Sequence, residues 1–600
     1  MNKDKNRTDL QLRSQEMEEL SQVALGKEKA DLVVINARLM NVYTSEILDN
    51  YCVAVKGRRI ALTGPDASHT IGPGTRVMDA KGSTLIPGLI DGHTHLALWL
   101  SIPEFLKHAM KGGTTTIITE SMEVFPVSGV DGVMDFLASL RDQPIKLLAT
   151  APGMGSISQA TLGVPQKTMQ HLMAQKNILG MGESYWQSVF QNPDRFLTNF
   201  ETVLGCGKRL EGHSAGARGN KLSAYAAMGI SSCHEPTTAE EALERLRLGI
   251  YVMAREGSIR RELEAISVIK DQGISLRRLI LATDGISPAD LLDLGYMEYL
   301  VQKAIDYGFN PITAVQMATL NVAEHFGLDH AIGGIAPGKI ADMVIIPDPR
   351  TIRAKTVISN GCVIVENGQL SVSPRHHAYA HKSLNTVTLP RRLTPDDFRI
   401  KLDNDAPKKK VHIIEMVTDL VTRESIEEIE VVNGELTTSR KKNLAKITAV
   451  DRTHTPGKMF TGLIKGFGLT SGAMACSASW DTSCIIVVGT NGSDMALAVN
   501  RIHDLQGGIV ICENKKIRYE LALPVFGIMS ELPVEEIADH MEQIKTIMAE
   551  LGVDFPDPVL TLTTLTGAAI PYLRICEQGL VNLKDGRTQG LFPDQATGKS

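Results

Sequence analysis

Runs of apolar and β-branched residues recur through the middle of the chain, at 84–90, 114–119, 145–150, 177–181, 208–212, 229–233, 250–254 and 278–283. Each has the length of a strand, and segments of helical periodicity lie between them, among them IPEFLKHAMKGG, DGVMDFLASLRDQ and PDRFLTNFETVLG. Thr238-Ala239-Glu240-Glu241, just ahead of ALERLRLG, reads as a capping box that starts one of those helices. Eight strand–helix units between residues 84 and 334 predict an α/β fold, a (β/α)8 barrel. An open doubly wound sheet is the alternative, but nothing in that architecture favours eight units.

The flanks have a different texture. ADLVVINARLMNV and YCVAVKGRRIALTG are short β segments, the second folded back at Lys56-Gly57-Arg58, and the same texture returns in DMVIIPD and TVISNGCVIVENG. Residues 29–83 and 335–385 are therefore expected to form one small β domain, with the barrel inserted between its halves. Residues 1–28 read as a polar helical lead-in whose few apolar contacts are Leu20, Val23 and Leu25. Pro390, Pro395, Pro407 and the run Lys408-Lys409-Lys410 mark a linker or domain start, and residues 386–600 carry a third, α+β pattern. Within it Gly489-Thr490-Asn491-Gly492 is a turn ahead of a helix, since it lacks both the P-loop ending and dinucleotide spacing.

Composition narrows the class. A chain of 600 residues exceeds one domain of about 150, and 43% hydrophobic with 22% charged residues excludes wholesale disorder. The net charge of −6 gives no bulk drive toward nucleic acid or an anionic membrane. No apolar run approaches the ~20 residues of a membrane span, and the polar start MNKDKNRTDLQLRSQEMEEL is unlike a signal peptide. The eight Cys are scattered without CxxC pairs, so a reduced, cytoplasmic setting is expected.

In such a barrel the reacting groups project from the C-terminal strand ends. Those ends carry Asp91-Gly92-His93-Thr94-His95, Thr119-Glu120-Ser121-Met122-Glu123, Ala151-Pro152, Gly182-Glu183, Glu211-Gly212-His213, Cys233-His234-Glu235, Arg255-Glu256-Gly257-Ser258 and Thr283-Asp284. His93 and His95, at i and i+2, share one face of their strand and can offer two imidazoles to one ion. A bland reading would need every one of these His, Glu and Asp residues to be a cap or surface group independently. Imidazole with carboxylate suits Zn, Fe or Mn, and one carboxylate among several His can bridge two ions, as in hydrolytic two-metal sites. Cys233 points away from its neighbour His234 and is read as core.

PGLIDGHTHL with its flanking β segments resembles the metal-dependent amidohydrolase superfamily. LEGHSAG, KLSAYAAMGISSCHEPTTAEEALERLRLGIYVMAREGS, RRLILATD, ITAVQMATLNVAEHFGL and GLIKGFGLTSGAMACSASWDTSCIIVVGTNGSDMALAVNRI together resemble the bacterial adenine deaminases, over about residues 20–580. The resemblance implies hydrolysis of adenine to hypoxanthine and ammonia, a role in purine salvage, and a homodimer. It implies two divalent ions, manganese or iron with zinc also compatible, and hydroxide attack at C6. By position, His93, His95 and Asp284 would hold one ion, His213 and His234 the other, and Glu183 would bridge them. Asp284 would also move the reacting proton. Glu235 is a candidate acid, equally well a salt-bridge partner of an Arg, and Glu123 is a candidate for lining the site or joining the metal ligands.

The sequence departs from the family where substrate should sit. Glu120-Ser121-Met122-Glu123 replaces Asp-Pro-His-Glu, Gly285 follows Asp284 in place of a second Asp, and Ser184-Tyr185-Trp186 replaces a Met-Met-Asn type segment. Trp480-Asp481-Thr482-Ser483 replaces His-Asp-Ser-His. Trp186 and Trp480, two of only three Trp, are thus candidates for stacking on a planar heterocycle, with Asp481 beside them. The alternatives are another aminoheterocycle or cyclic amide as substrate, and a metal-bound scaffold without activity. Hydantoinase or dihydroorotase chemistry is disfavoured because Glu183 stands where a carboxylated lysine would be expected.

Overall fold

The computed structural model of the chain describes residues 10–402 and 407–593; the first nine residues of the lead-in and the last seven of the C-terminal region lie outside them. Eight parallel strands form the centre: β1 (Leu89–Thr94), β2 (Thr114–Thr119), β3 (Lys146–Ala151), β4 (Ile178–Tyr185), β5 (Arg209–His213), β6 (Ser232–Cys233), β7 (Tyr251–Arg255) and β8 (Leu279–Ala282). Strands β1 to β5 are hydrogen-bonded in sequence order, as are β6 to β8. Two links close the ring, from the Ser231 N–H to the Leu210 carbonyl (2.9 Å) and from the Asp284 N–H to the His93 carbonyl (3.0 Å). The result is the barrel that the spacing of apolar runs predicts.

The strands are almost wholly buried because both faces are covered. Ile117, Leu147, Val252 and Leu279 point out to the surrounding helices, while their neighbours Ile118, Leu148, Met253 and Ile280 fill the barrel. The floor is closed by Val322, Phe326, Leu328 and Ile332. The helix Ala239–Arg247 starts at Thr238, whose side chain accepts the Glu241 N–H. The reciprocal half of the predicted capping box goes one residue earlier, to the N–H and hydroxyl of Thr237.

A nine-stranded sheet combines segments from both sides of the barrel. The apolar run at 84–90 proves to be shared. Thr84–Pro87 pairs antiparallel with Met343–Ile346 in this sheet, and the chain enters β1 only at Leu89. Between them Gly88 passes so close to Thr115 that a side chain would collide. Leu20 and Val23 of the helix Ser14–Ala24 pack on the sheet, whereas Leu25 is exposed.

The C-terminal region is a second nine-stranded sheet covered by the helix Gly492–Leu505, which starts at the N-cap Asn491. The lysine triplet opens its strand Lys408–Met416. It is joined to the barrel top by a short parallel pairing of Trp99–Leu100 with Met529–Ser530. No described helix is long and apolar enough to cross a membrane.

Candidate metal centre and pocket

Five donor atoms converge above the C-terminal ends of the strands. His93 Nε2 and His95 Nε2 each lie 3.2 Å from Asp284 Oδ1. Glu183 Oε1 is 3.2 Å from His93 Nε2, 3.3 Å from His95 Nε2 and 3.3 Å from His234 Nε2, so it sits between the β1 pair and β6. A second group lies alongside, where Glu235 Oε1 is 3.2 Å from His213 Nε2 and 3.5 Å from His234 Nε2. All these residues are at least largely buried.

The spacing follows from the strand pattern. His93 and His95 alternate past Thr94, which faces the seam and shares the Thr283 hydroxyl with Asp91. Asp91 also accepts from the Tyr296 hydroxyl (2.6 Å) and the His93 N–H (3.1 Å), locking the end of β1 to β8. Asp284 has a left-handed backbone (φ 55°), which turns its carboxylate back over the barrel mouth.

The charges test whether this set suits a cation. Burial alone would protonate Glu183 and Asp284, but the neighbouring imidazoles outweigh it and hold both carboxyls well below the usual range. Burial likewise opposes charge on His93, yet Asp284 and Glu183 push its pKa up to about 10. His213 is pushed up to about 9 against burial, chiefly by Glu235. Burial and the adjacent His93 push His234 down to about 3. Imidazolium protons thus supply positive charge among carboxylates that a divalent ion would otherwise neutralise. Donor separations of 3.2–3.3 Å are also the edge of a tetrahedron about 2 Å from each donor. The residues fit a divalent metal.

Beside the centre opens a pocket of about 270 Å³. His95, Glu183, His213, His234 and Asp284 form its floor, and Trp480, Leu560, Ile570 and Pro571 of the C-terminal region face them.

Residues 84–365 match the amidohydrolase family and residues 419–587 the adenine deaminase C-terminal domain. An adenine deaminase of Clostridium botulinum (strain Langeland / NCTC 10281 / Type F) is 35% identical over 587 residues, 96% of this chain and 97% of its own. The chain belongs to the adenine deaminase family. Adenine deaminases of Moorella thermoacetica (35% over 573 residues, 94% of this chain and 96% of the relative) and Cenarchaeum symbiosum (33% over 577, 95% and 94%) are similar to the same extent. A structure of molinate hydrolase aligns with 59% of this chain and 98% of its own at 16% identity and TM-score 0.45.

Against the adenine deaminase resemblance, several expected roles change. Trp186 does not line the pocket. Tyr185, the last residue of β4, faces inward, so the next residue turns out; the Trp186 indole donates to the Ala215 carbonyl (2.8 Å) and packs on Phe190. Asp481 is fully buried behind the wall, accepting from the Tyr185 hydroxyl (3.1 Å) and the Ala568 N–H (2.6 Å). Glu123 lies behind His95, hydrogen-bonded to its Nδ1, and orients that ring rather than meeting substrate. Glu235 lines the pocket but is ion-paired with Arg255. That pair is the salt bridge expected as the alternative to an acid role, and although burial raises the carboxyl's pKa, Arg255 and His213 outweigh it and favour the anion. Trp480 does line the pocket, its ring edge-on to His95 at 4.9 Å.

Three residues that the sequence placed at strand ends without a role belong to the site. Arg255 Nη1 donates to Asp284 Oδ2 (2.9 Å), while its other nitrogens bond Glu262 (3.1 Å each). It ends β7, the place where the strand-end rule looks, but a search confined to metal ligands passes over a cation. Glu120 Oε1 lies 3.6 Å from His93 Nδ1 and accepts the Glu183 N–H at 3.4 Å. Tyr185 packs edge-on to His213 at 4.7 Å.

Proposed function

We propose that the protein hydrolyses adenine to hypoxanthine and ammonia. The observation that carries this reading is the convergence of Glu183 and Asp284 on three imidazoles at 3.2–3.3 Å, in a chain similar to adenine deaminases over nearly its full length. His93, His95 and Asp284 would hold one ion, His213 and His234 a second, and Glu183 would stand between, with manganese or iron the metals of choice. Divalent cations bound there would acidify water, so that a nucleophile is available near neutral pH.

The chain's own groups do the rest. Asp284, anchored through Oδ2 by Arg255, takes the proton of the attacking water as its oxygen adds to C6. It returns that proton to the amino nitrogen as the C6–N bond breaks and ammonia leaves, and the second proton of the water passes from the added oxygen to ring N1, which gives hypoxanthine. Glu235, held as an anion at the pocket edge, accepts a hydrogen bond from an N–H of the base. Trp480 offers a face or edge to the planar ring, and the apolar wall excludes water. The family resemblance also supports a homodimer in purine salvage, and the eight free cysteines support a reducing cytoplasm.

The test is ammonia release from adenine by protein purified anaerobically and supplied with manganese or iron, with the product identified. Hypoxanthine formation supports the reading. No turnover at about two bound metals per chain would overturn adenine as substrate and direct the search to other aminoheterocycles and cyclic amides.

A further inference from the structure

Beside Trp480 and the helical residues Leu560 and Thr564, the wall opposite the donor set is built from two loops of the C-terminal region, one contributing Val421 and the other Gly567, Ala569, Ile570 and Pro571. Backbone bonds tie the loops together. The Thr422 N–H donates to the Pro571 carbonyl (3.1 Å), and the Tyr572 N–H donates to the Thr422 carbonyl (3.2 Å). The Thr422 hydroxyl donates to the Leu573 carbonyl (2.8 Å).

Behind both loops lies Arg574, fully buried in the strand Leu573–Cys576. Its Nε donates to the Ile570 carbonyl (2.6 Å) and its Nη2 to the carbonyls of Pro571 and Leu420 (2.9 Å each). Among the described residues no carboxylate pairs with it, and burial pushes its pKa down to about 9. A buried guanidinium without a counter-charge is costly, and an apolar side chain of similar volume would fill the space more cheaply. What the guanidinium alone provides is a rigid fork of donors, and here the fork grips the backbone of both wall loops at once. The other end of the second loop is held from the barrel side, where Asp481 accepts the Ala568 N–H and the Tyr185 hydroxyl together.

We propose that Arg574 is a positioning residue that fixes the two wall loops and thereby sets which planar heterocycles the pocket accepts. The inference rests on the deaminase reading of the site, and it goes beyond it by naming the group that shapes the wall. Arg574 touches neither the donor set nor substrate; it acts through Ile570 and Pro571.

Metal-loaded wild type is to be compared with Arg574→Met, Arg574→Lys, Ile570→Ala and the Arg574→Met/Ile570→Ala double variant. Arg574→Met raises KM for adenine about tenfold, with kcat within about threefold and metal content unchanged. Ile570→Ala raises KM similarly, and the double variant is no worse than the worse single one, because both act on one wall. Hydrogen exchange in Arg574→Met quickens in peptides spanning 418–424 and 566–574 and stays unchanged in the barrel. Should Arg574→Met not fold, Arg574→Lys and Ile570→Ala decide. Lysine keeps the charge but cannot span three carbonyls, so it too raises KM. Lower thermal stability at unchanged KM, or exchange quickened throughout the C-terminal region, overturns the proposal. If wild type fails to turn over adenine, the deaminase reading falls by itself, and the exchange pattern still decides whether Arg574 holds the two loops or the whole region.

Discussion

The pocket has two sides of opposite construction. The metal-facing side comes from one barrel and is made of side chains: every donor sits at or just beyond the end of a strand, and two are held by a further buried group, His95 by Glu123 and Asp284 by Arg255. The facing side comes from a different region and is made in large part of loops whose shape is set through backbone carbonyls. The first side fixes what reaction can occur, and the second fixes which molecule is presented to it. They can therefore fail independently.

Substitutions sharpen this division by the quantity each one moves. Glu183→Gln, at the middle of the donor set, is expected to lose bound metal and activity together, the latter by about a thousandfold or more. Metal analysis alongside turnover checks it, and full metal content at full rate would remove Glu183 from the centre. Glu123→Gln keeps the shape but weakens the hold on His95, so metal affinity should fall about 10–100-fold while KM at saturating metal stays put. A metal titration of activity separates the two.

On the other side, Trp480→Ala should raise KM by about 0.5–1.5 kcal/mol of lost ring contact without changing metal content. Trp186→Ala should change KM less than Trp480→Ala does and lower thermal stability, because that ring does not line the pocket and reaches it only through the Ala215 carbonyl. Equal KM effects at both positions would break the comparison.

The smallest effect concerns the joint between the sides. Burial pushes the Asp481 carboxyl up to about 7. The folded state then holds this proton more tightly than the unfolded chain does. Its contribution to stability is full below about pH 4 and is lost as pH rises toward 7. In metal-free protein, Asp481→Asn should flatten the fall in unfolding midpoint between pH 5 and 7, and identical slopes would contradict the assignment.

The two sides also differed in legibility. Most of the eight strands announced themselves because a barrel strand buried on both faces is rich in apolar and β-branched residues, and His93, His95, Glu183, His213, His234 and Asp284 stand where such strands end. The boundary at Gly88 was not legible, since one apolar run serves two sheets and only the contact with Thr115 divides it. Trp186 misled because a one-residue step at the end of β4 exchanges the inward and outward faces. Arg574 could not be found from sequence at all. Its role depends on meeting the Leu420 carbonyl 154 residues away, and carbonyls leave no mark in a sequence.

The barrel closes between its last strand and its first, and that closing hydrogen bond joins Asp284 to His93, 191 residues apart. Completing the ring and completing the donor set are consequently one event in folding. Without β8 the two β1 imidazoles keep Glu183 but lack Asp284, so the donor set is one carboxylate short. The ion would then act as a latch for the finished barrel, not as a template for the growing one.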